Sequence, residues 1–159
     1  MKITEAQLRQ IIREAVNREN SMSQKRLKQV LANHELWLES GGQEGEQAHL
    51  TGENLSGLSL VNADLEEVDF SGSNLTGVDF YGANLSNAKL VGANLQGTDF
   101  TNATLLYADL SNANLFDAHL KRADLSFADF TGADLTRADL RGVKFYQTIM
   151  PDGEEQSDY

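Results

Sequence analysis

From Leu50 to Phe145 every fifth residue is Leu or Phe, twenty times in succession with no insertion. Fifteen are Leu, and Phe stands at 70, 80, 100, 130 and 145. An amphipathic helix repeats its apolar residues every 3.6 positions and a half-buried strand every 2, so a strict period of five excludes both over this stretch. The residue two before each large side chain is Ala in thirteen of the twenty pentads. The residue directly before it is Asp or Asn in fourteen, as in Ala63-Asp64-Leu65, Ala83-Asn84-Leu85 and Ala133-Asp134-Leu135.

These residues resemble the pentapeptide-repeat family, whose motif is A-[DN]-L-[ST]-G, over about 100 of the 159 positions. The resemblance implies an all-β solenoid, a right-handed quadrilateral β-helix in which four pentads make one square coil, so that twenty pentads make about five coils. Elementary geometry agrees with it. A five-residue side that turns one large and one small side chain inward closes a square if each corner is a tight turn, and turn-forming residues suit the corners. Nine of the thirteen Gly lie two residues after a central Leu or Phe, among them Gly52, Gly72, Gly92 and Gly132. At the usual strand spacing five coils stack into a rod of roughly 24 Å.

Residues 20 apart then fall into columns. Leu55, Leu75, Leu95, Leu115 and Leu135 form one, and Phe80 and Phe100 stack in another. Asn54, Asn74, Asn94 and Asn114, ending in Asp134, are placed to form an amide ladder. A further column reads Ser59, Asp79, Asp99, His119, Asp139. Its functional interpretation is an ion or proton site; its structural one, which we favour, is a set of side chains bonded to local backbone.

An open β-helix exposes unpaired edges that invite polymerisation, so caps are expected. Residues 1–47 are read as an N-terminal cap of two helices. Thr4-Glu5-Ala6-Gln7 has the form of a capping box ahead of Leu8, Ile11, Ile12, Ala15 and Val16 at helical spacing. Ser23 opens a second helix carrying Leu27, Val30, Leu31 and Leu38, stopped by Gly41 and Gly42. The stretch from Asn33 to Gly42 resembles the lead-in of some bacterial, notably cyanobacterial, pentapeptide proteins, and Trp37 and Leu38 are expected to cover the first coil. His34 is read as part of that cap. Residues 48–150 are the β-helix, with Met150 the centre of a degraded last pentad. Residues 151–159 begin with a Pro151-Asp152-Gly153 terminator and run into an acidic tail expected to be disordered.

Chemistry is sparse. The chain has no Cys, which closes off disulfides, thiolate zinc sites and thiol nucleophiles. No phosphate-binding glycine loop occurs, since the Gly fall on the five-residue beat, and His49 and His119 belong to different columns. A filled core offers no substrate cavity. We therefore expect no enzyme, no cofactor and no metal. The formal charge of -11 divides as 0 over residues 1–49, -7 over 50–149 and -4 over 150–159. Such a surface repels phosphates, so direct nucleic-acid binding is not expected. Nor is membrane association, because no apolar run is long enough to span and the basic residues of the first helix are balanced by acidic ones. A cytoplasmic location is the default.

Binding surfaces remain. Outward positions are mostly small and polar, so Leu106, Tyr107, Phe127 and Tyr146, which follow central residues of one column, stand out as a candidate interaction patch. The patch is either a homodimer or partner interface, or a surface covered by the first helix or simply exposed. Phe116 is placed alone on the opposite face, and Lys121, Arg122 and Arg141 make a small basic spot on a third. The leading functional expectation is a non-enzymatic protein-interaction or scaffold module with an unidentified protein partner. The alternative, taken from gyrase-protecting members of the family that resemble B-DNA in width and charge, is a DNA mimic acting on a type II topoisomerase.

Overall fold

The computed structural model describes residues 22–157. Within it the pentads wind a square solenoid whose circuit takes 20 residues. From Leu50 to Phe130 the amide of each central residue donates to the carbonyl 19 positions on, as from Leu55 N to Asn74 O at 2.9 Å. A return bond runs from the outward residue of the next circuit, as from Asp79 N to Leu58 O at 3.1 Å. Parallel bridges 20 residues apart therefore continue from His49 with Asp69 to Asp129 with Ile149, forming one narrow ladder on each side of the square. Each side contributes only one bridged residue per circuit because the chain turns again within three residues.

The corners explain the period. The carbonyl of a central residue accepts the amide three positions later, as Leu60 O does from Ala63 N at 3.1 Å. The third residue of the turn, two after the central one, has φ between +48° and +71° at all twenty corners. That left-handed residue is what a type II turn requires. Nine of the corners hold Gly and four hold Asn, the two residues that adopt this conformation most easily.

Inside, the central Leu and Phe interlock with the small residue two before each of them, and nearly all are buried. Phe80 lies parallel on Phe100 with centroids 5.2 Å apart, and Phe70 meets Phe80 edge-on at 5.9 Å. Where Thr or Ser replaces the small Ala, the buried hydroxyl finds a backbone carbonyl: Thr98 donates to Leu75 O at 2.9 Å and Thr148 to Leu125 O at 2.8 Å. No buried polar side-chain atom among the described residues lacks a partner.

Helix α1, Gln24–Glu39, starts at Ser23, whose hydroxyl accepts the Arg26 amide at 3.2 Å. It crosses the end of the first circuit and, together with Met22 just before it, is tied to the first circuit at four successive points. The bonds are Ala48 N to His34 Nδ1, Met22 N to Asn54 O, Gln24 Nε2 to Ser59 O, and His34 Nε2 to Glu66 O. Leu27 and His34 are buried, and Val30 and Leu31 pack half-buried on the core. Trp37 and Leu38 correct the expectation that they cover the coil. Both are half-exposed at the far end of α1, and Trp37 instead stacks on His34 with centroids 5.7 Å apart. Position 38 lies on the same helical face as 27, 31 and 34, so its partial exposure comes from its place in the last turn of α1, beyond the residues that pack on the core. The first predicted helix, with Leu8, Ile11, Ile12, Ala15 and Val16, lies outside the described residues.

At the other end Met150 packs on the core as the centre of the last pentad. Within the described residues the tail, expected to be disordered, is in part paired. Strand β1, Thr148–Ile149, pairs antiparallel with β2, Glu155–Gln156, across the turn at Pro151–Gly153. Charge alone suggested a solvated segment, but the unpaired edge left by the last circuit is a template that the following residues satisfy. Leu135 and Leu140, on the sides that β2 does not reach, remain half-buried.

Candidate interaction surface

The four corner columns differ in composition. Three of them contain between two and four Gly each, whereas the fourth reads Glu67, Asn87, Tyr107, Phe127, Gln147 and contains none. Tyr107 and Phe127 thus hold left-handed backbone, at φ +58° and +62°. For a bulky side chain this conformation is a genuine outlier that costs roughly 1–2 kcal/mol per residue relative to the right-handed alternatives. The circuit repeat places the two rings one above the other. They stack with centroids 4.5 Å apart and planes 6° from parallel. Tyr146 approaches Phe127 edge-on at 5.2 Å, and Leu106 is half-buried beside Tyr107. Tyr107 is 56 % and Tyr146 52 % exposed, more than any other large apolar side chain among the described residues. The predicted patch residues are therefore in one place, joined as a ladder of three rings.

The strip has acidic borders. Asp109 and Asp129 lie two residues after Tyr107 and Phe127 and are bridged to each other through the backbone. Asp124 lies on the side that ends at the Phe127 corner. Burial pushes its carboxyl up, but the Ser126 hydroxyl and amide and the Lys144 ammonium more than offset this and leave it below the usual carboxylate range. Lys144 approaches Asp124 to 3.4 Å.

On the opposite face Phe116 is not alone. The Arg137 guanidinium lies over its ring at 5.3 Å and pairs with Asp117 at 2.8 Å. Sequence spacing placed the ring but not its cover, because a long side chain reaches across circuits in a direction that periodicity does not specify. In the Asp79, Asp99, His119, Asp139 column the three carboxylates bond to local backbone. Asp79 accepts the Tyr81 amide at 3.0 Å, Asp99 the Thr101 amide at 2.8 Å and Asp139 the Arg141 amide at 3.2 Å. The Arg141 side chain adds two bonds to Asp139 and, with that amide, holds its carboxyl down at about 2. Arg141 is thus engaged by Asp139, not free in a basic spot. The amide ladder forms at two steps, Asn74 to Asn54 at 3.1 Å and Asn114 to Asn94 at 3.2 Å.

His34 is the most constrained polar group at the α1 end. Its Nδ1 accepts the Ala48 amide at 3.2 Å, so its proton resides on Nε2, which donates to Glu66 O at 2.9 Å. Burial lowers its pKa below the usual 6.5, against the opposing pull of the Glu66 carbonyl and of the carboxylates of Asp64, Glu67 and Glu66. Shallow clefts flank α1 on its two sides, one bordered by Lys28, Leu31, Glu35 and Asp64, the other by Val30, Glu46 and His49. Among the described residues no group of three or more acidic or imidazole side chains could hold a metal ion, and no helix is long and apolar enough to cross a membrane.

The family model for pentapeptide repeats matches residues 46–77, 79–115 and 113–150. The chain belongs to the pentapeptide repeat family. Its solenoid is accordingly the right-handed quadrilateral β-helix of that family. This pentapeptide repeat protein is similar to one from the thylakoid lumen of Arabidopsis thaliana, at 29% identity over 72% of this chain and 79% of that one, with a TM-score of 0.51. It is also similar to Rfr23 of the cyanobacterium Cyanothece 51142, at 30% identity over 60% and 82% of the two chains, with a TM-score of 0.33. A trypsin-treated form of QnrB1, a plasmid-mediated fluoroquinolone resistance protein, is 19% identical over 66% of this chain and 67% of that one, with a TM-score of 0.41. That likeness is one of fold alone. No curated protein matches the chain.

Proposed function

We propose that this pentapeptide repeat protein acts by binding and not by catalysis. In this reading it is a rigid rod of five coils over residues 48–150, closed at its N-terminal end by the helical segment within 1–47. It presents Leu106, Tyr107, Phe127 and Tyr146 as the docking face for a protein partner or a second copy. The observation that carries the reading is the pair of aromatic residues at left-handed corners. Gly or Asn would serve the coil better at both positions, so the rings at 107 and 127 are retained at a local cost that folding does not demand. An exposed ladder of stacked rings on a mostly polar solenoid is the kind of surface that partners bury.

The test is the mass in solution, by light scattering over a range of concentrations, of the wild type and of the Tyr107→Asp, Phe127→Asp double variant. A wild-type dimer that the variant splits identifies the face as a self-interface. If both are monomers, capture from extracts of the source cell is compared between the two proteins. A variant that alters neither self-association nor capture of any partner refutes the docking role.

A further inference from the structure

The ring on the far side of the square shows how this scaffold completes an exposed aromatic. Phe116 supplies the ring, Asp117 the carboxylate and Arg137 the guanidinium, which lies 5.3 Å from the ring centroid while its Nε–H donates to the carboxylate at 2.8 Å. The set is closed within the chain.

The strip repeats the first two components and lacks the third. It offers three rings, with Asp109 and Asp129 along one border and Asp124 along the other. Asp109 uses Oδ1 to accept the Ser111 amide and hydroxyl, at 3.0 and 2.5 Å, and Asp129 uses its Oδ1 on the Thr131 amide and hydroxyl, at 2.8 and 2.6 Å. Neither carboxylate forms an ion pair among the described residues. The basic groups nearest in register are Lys144, engaged by Asp124, and Lys89, one circuit before Asp109. No guanidinium covers Tyr107, Phe127 or Tyr146 among the described residues.

We infer that the strip takes an arginine side chain from an extended segment of another protein, its guanidinium laid on the ring ladder and its N–H groups donated to Asp109 or Asp129. The inference rests on the docking face proposed above and names the chemistry of its occupant. Arginine is favoured over lysine because a planar, weakly hydrated guanidinium stacks on a ring while its edge still reaches a carboxylate, whereas an ammonium stays hydrated. The formal charge of -11 draws a basic segment toward the rod at long range.

The experiment follows the aromatic side-chain NMR signals of the full chain during titration with three blocked peptides: Gly-Arg-Gly-Arg-Gly, Gly-Lys-Gly-Lys-Gly and the uncharged Gly-Trp-Gly. The arginine peptide is expected to shift the Tyr107, Phe127 and Tyr146 signals with an affinity about two- to five-fold above that of the lysine peptide, the size of an exposed cation–π contact. The response is lost in Tyr107→Asn, Phe127→Asn, which keeps residues tolerant of the corner, and is weakened in Asp109→Asn, Asp129→Asn. Equal responses to arginine and lysine, or shifts spread over the acidic faces without regard to the rings, overturn the inference. If Gly-Trp-Gly shifts the strip and the arginine peptide does not, the docking face stands and the arginine falls. If no peptide shifts the strip at millimolar concentration, the arginine falls, and the docking face is judged by the mass and capture of the Tyr107→Asp, Phe127→Asp variant.

Discussion

Replacing Phe127 by Asn separates a ring kept for binding from one kept for folding. The substitution removes a parallel stack on Tyr107 at 4.5 Å and an edge contact with Tyr146 at 5.2 Å. Each aromatic pair contributes about 0.5–1.5 kcal/mol beyond the area it buries, and the half-buried ring adds roughly 1 kcal/mol of apolar burial, so the loss is at most about 4 kcal/mol. Against this, the left-handed backbone at φ +62° is released from a penalty of roughly 1–2 kcal/mol, since Asn occupies that conformation readily. The relieved strain offsets part of the loss and leaves a net cost of no more than about 3 kcal/mol. Three residues on, Phe130 is fully buried, sits at a side and not a corner, and has no strain to release. Phe130→Ala is expected to cost about 3–5 kcal/mol. Guanidinium unfolding followed by circular dichroism compares the two variants through their midpoints at constant slope. The fluorescence of Trp37, on α1, shows whether the helix and the solenoid unfold together. A Phe127→Asn variant as unstable as Phe130→Ala would refute the argument, because the ring would then be a structural element of the coil.

Acid should loosen α1 through His34, whose folded-state pKa is lowered chiefly by burial. The stability this contributes is fully present above the unfolded value near 6.5 and declines as pH falls below that toward the folded value. Urea midpoints of the wild type should therefore fall between neutral pH and pH about 5 more than those of His34→Gln, and parallel curves would show that His34 carries no such linkage. Leu115, fully buried in the middle of its column, should cost about 2–5 kcal/mol on truncation to Ala, and Leu135, half-buried in the last circuit, roughly half that; equal losses would mean that the last circuit is covered in solution. Arg141→Ala should raise the Asp139 pKa from about 2 toward 3.8, read from its carboxyl carbon by NMR, and an unchanged value would show that the pair does not form in solution.

The solenoid was legible in the sequence because one short backbone unit is repeated twenty times without a break. A period of five with a Leu or Phe at its centre calls for a tight turn between inward-pointing residues, and the 20-residue circuit that the family resemblance implies then orders everything stacked on it. Phe80 over Phe100, the Asn74 to Asn54 bond and the co-location of Tyr107, Phe127 and Tyr146 all follow from that arithmetic. Even the meaning of the glycines was visible, though not that Tyr107 and Phe127 occupy left-handed corners, a signal available once the glycine-free column is compared with the other three.

What the repeat does not encode is what happens where it stops or where long side chains leave its surface. Trp37 turned onto His34 instead of the coil, and the tail paired with the last circuit as β2 because an open edge was within its reach. Arg137 crossed from one circuit to cover Phe116 on another, and His34 acquired its tautomer from two backbone groups 14 and 32 residues away. Periodicity determines backbone register, and register determines which residues are neighbours. Side-chain direction, proton position and the fate of an unpaired edge are set by competition among several neighbours at once, and that competition exists only when the chain is folded.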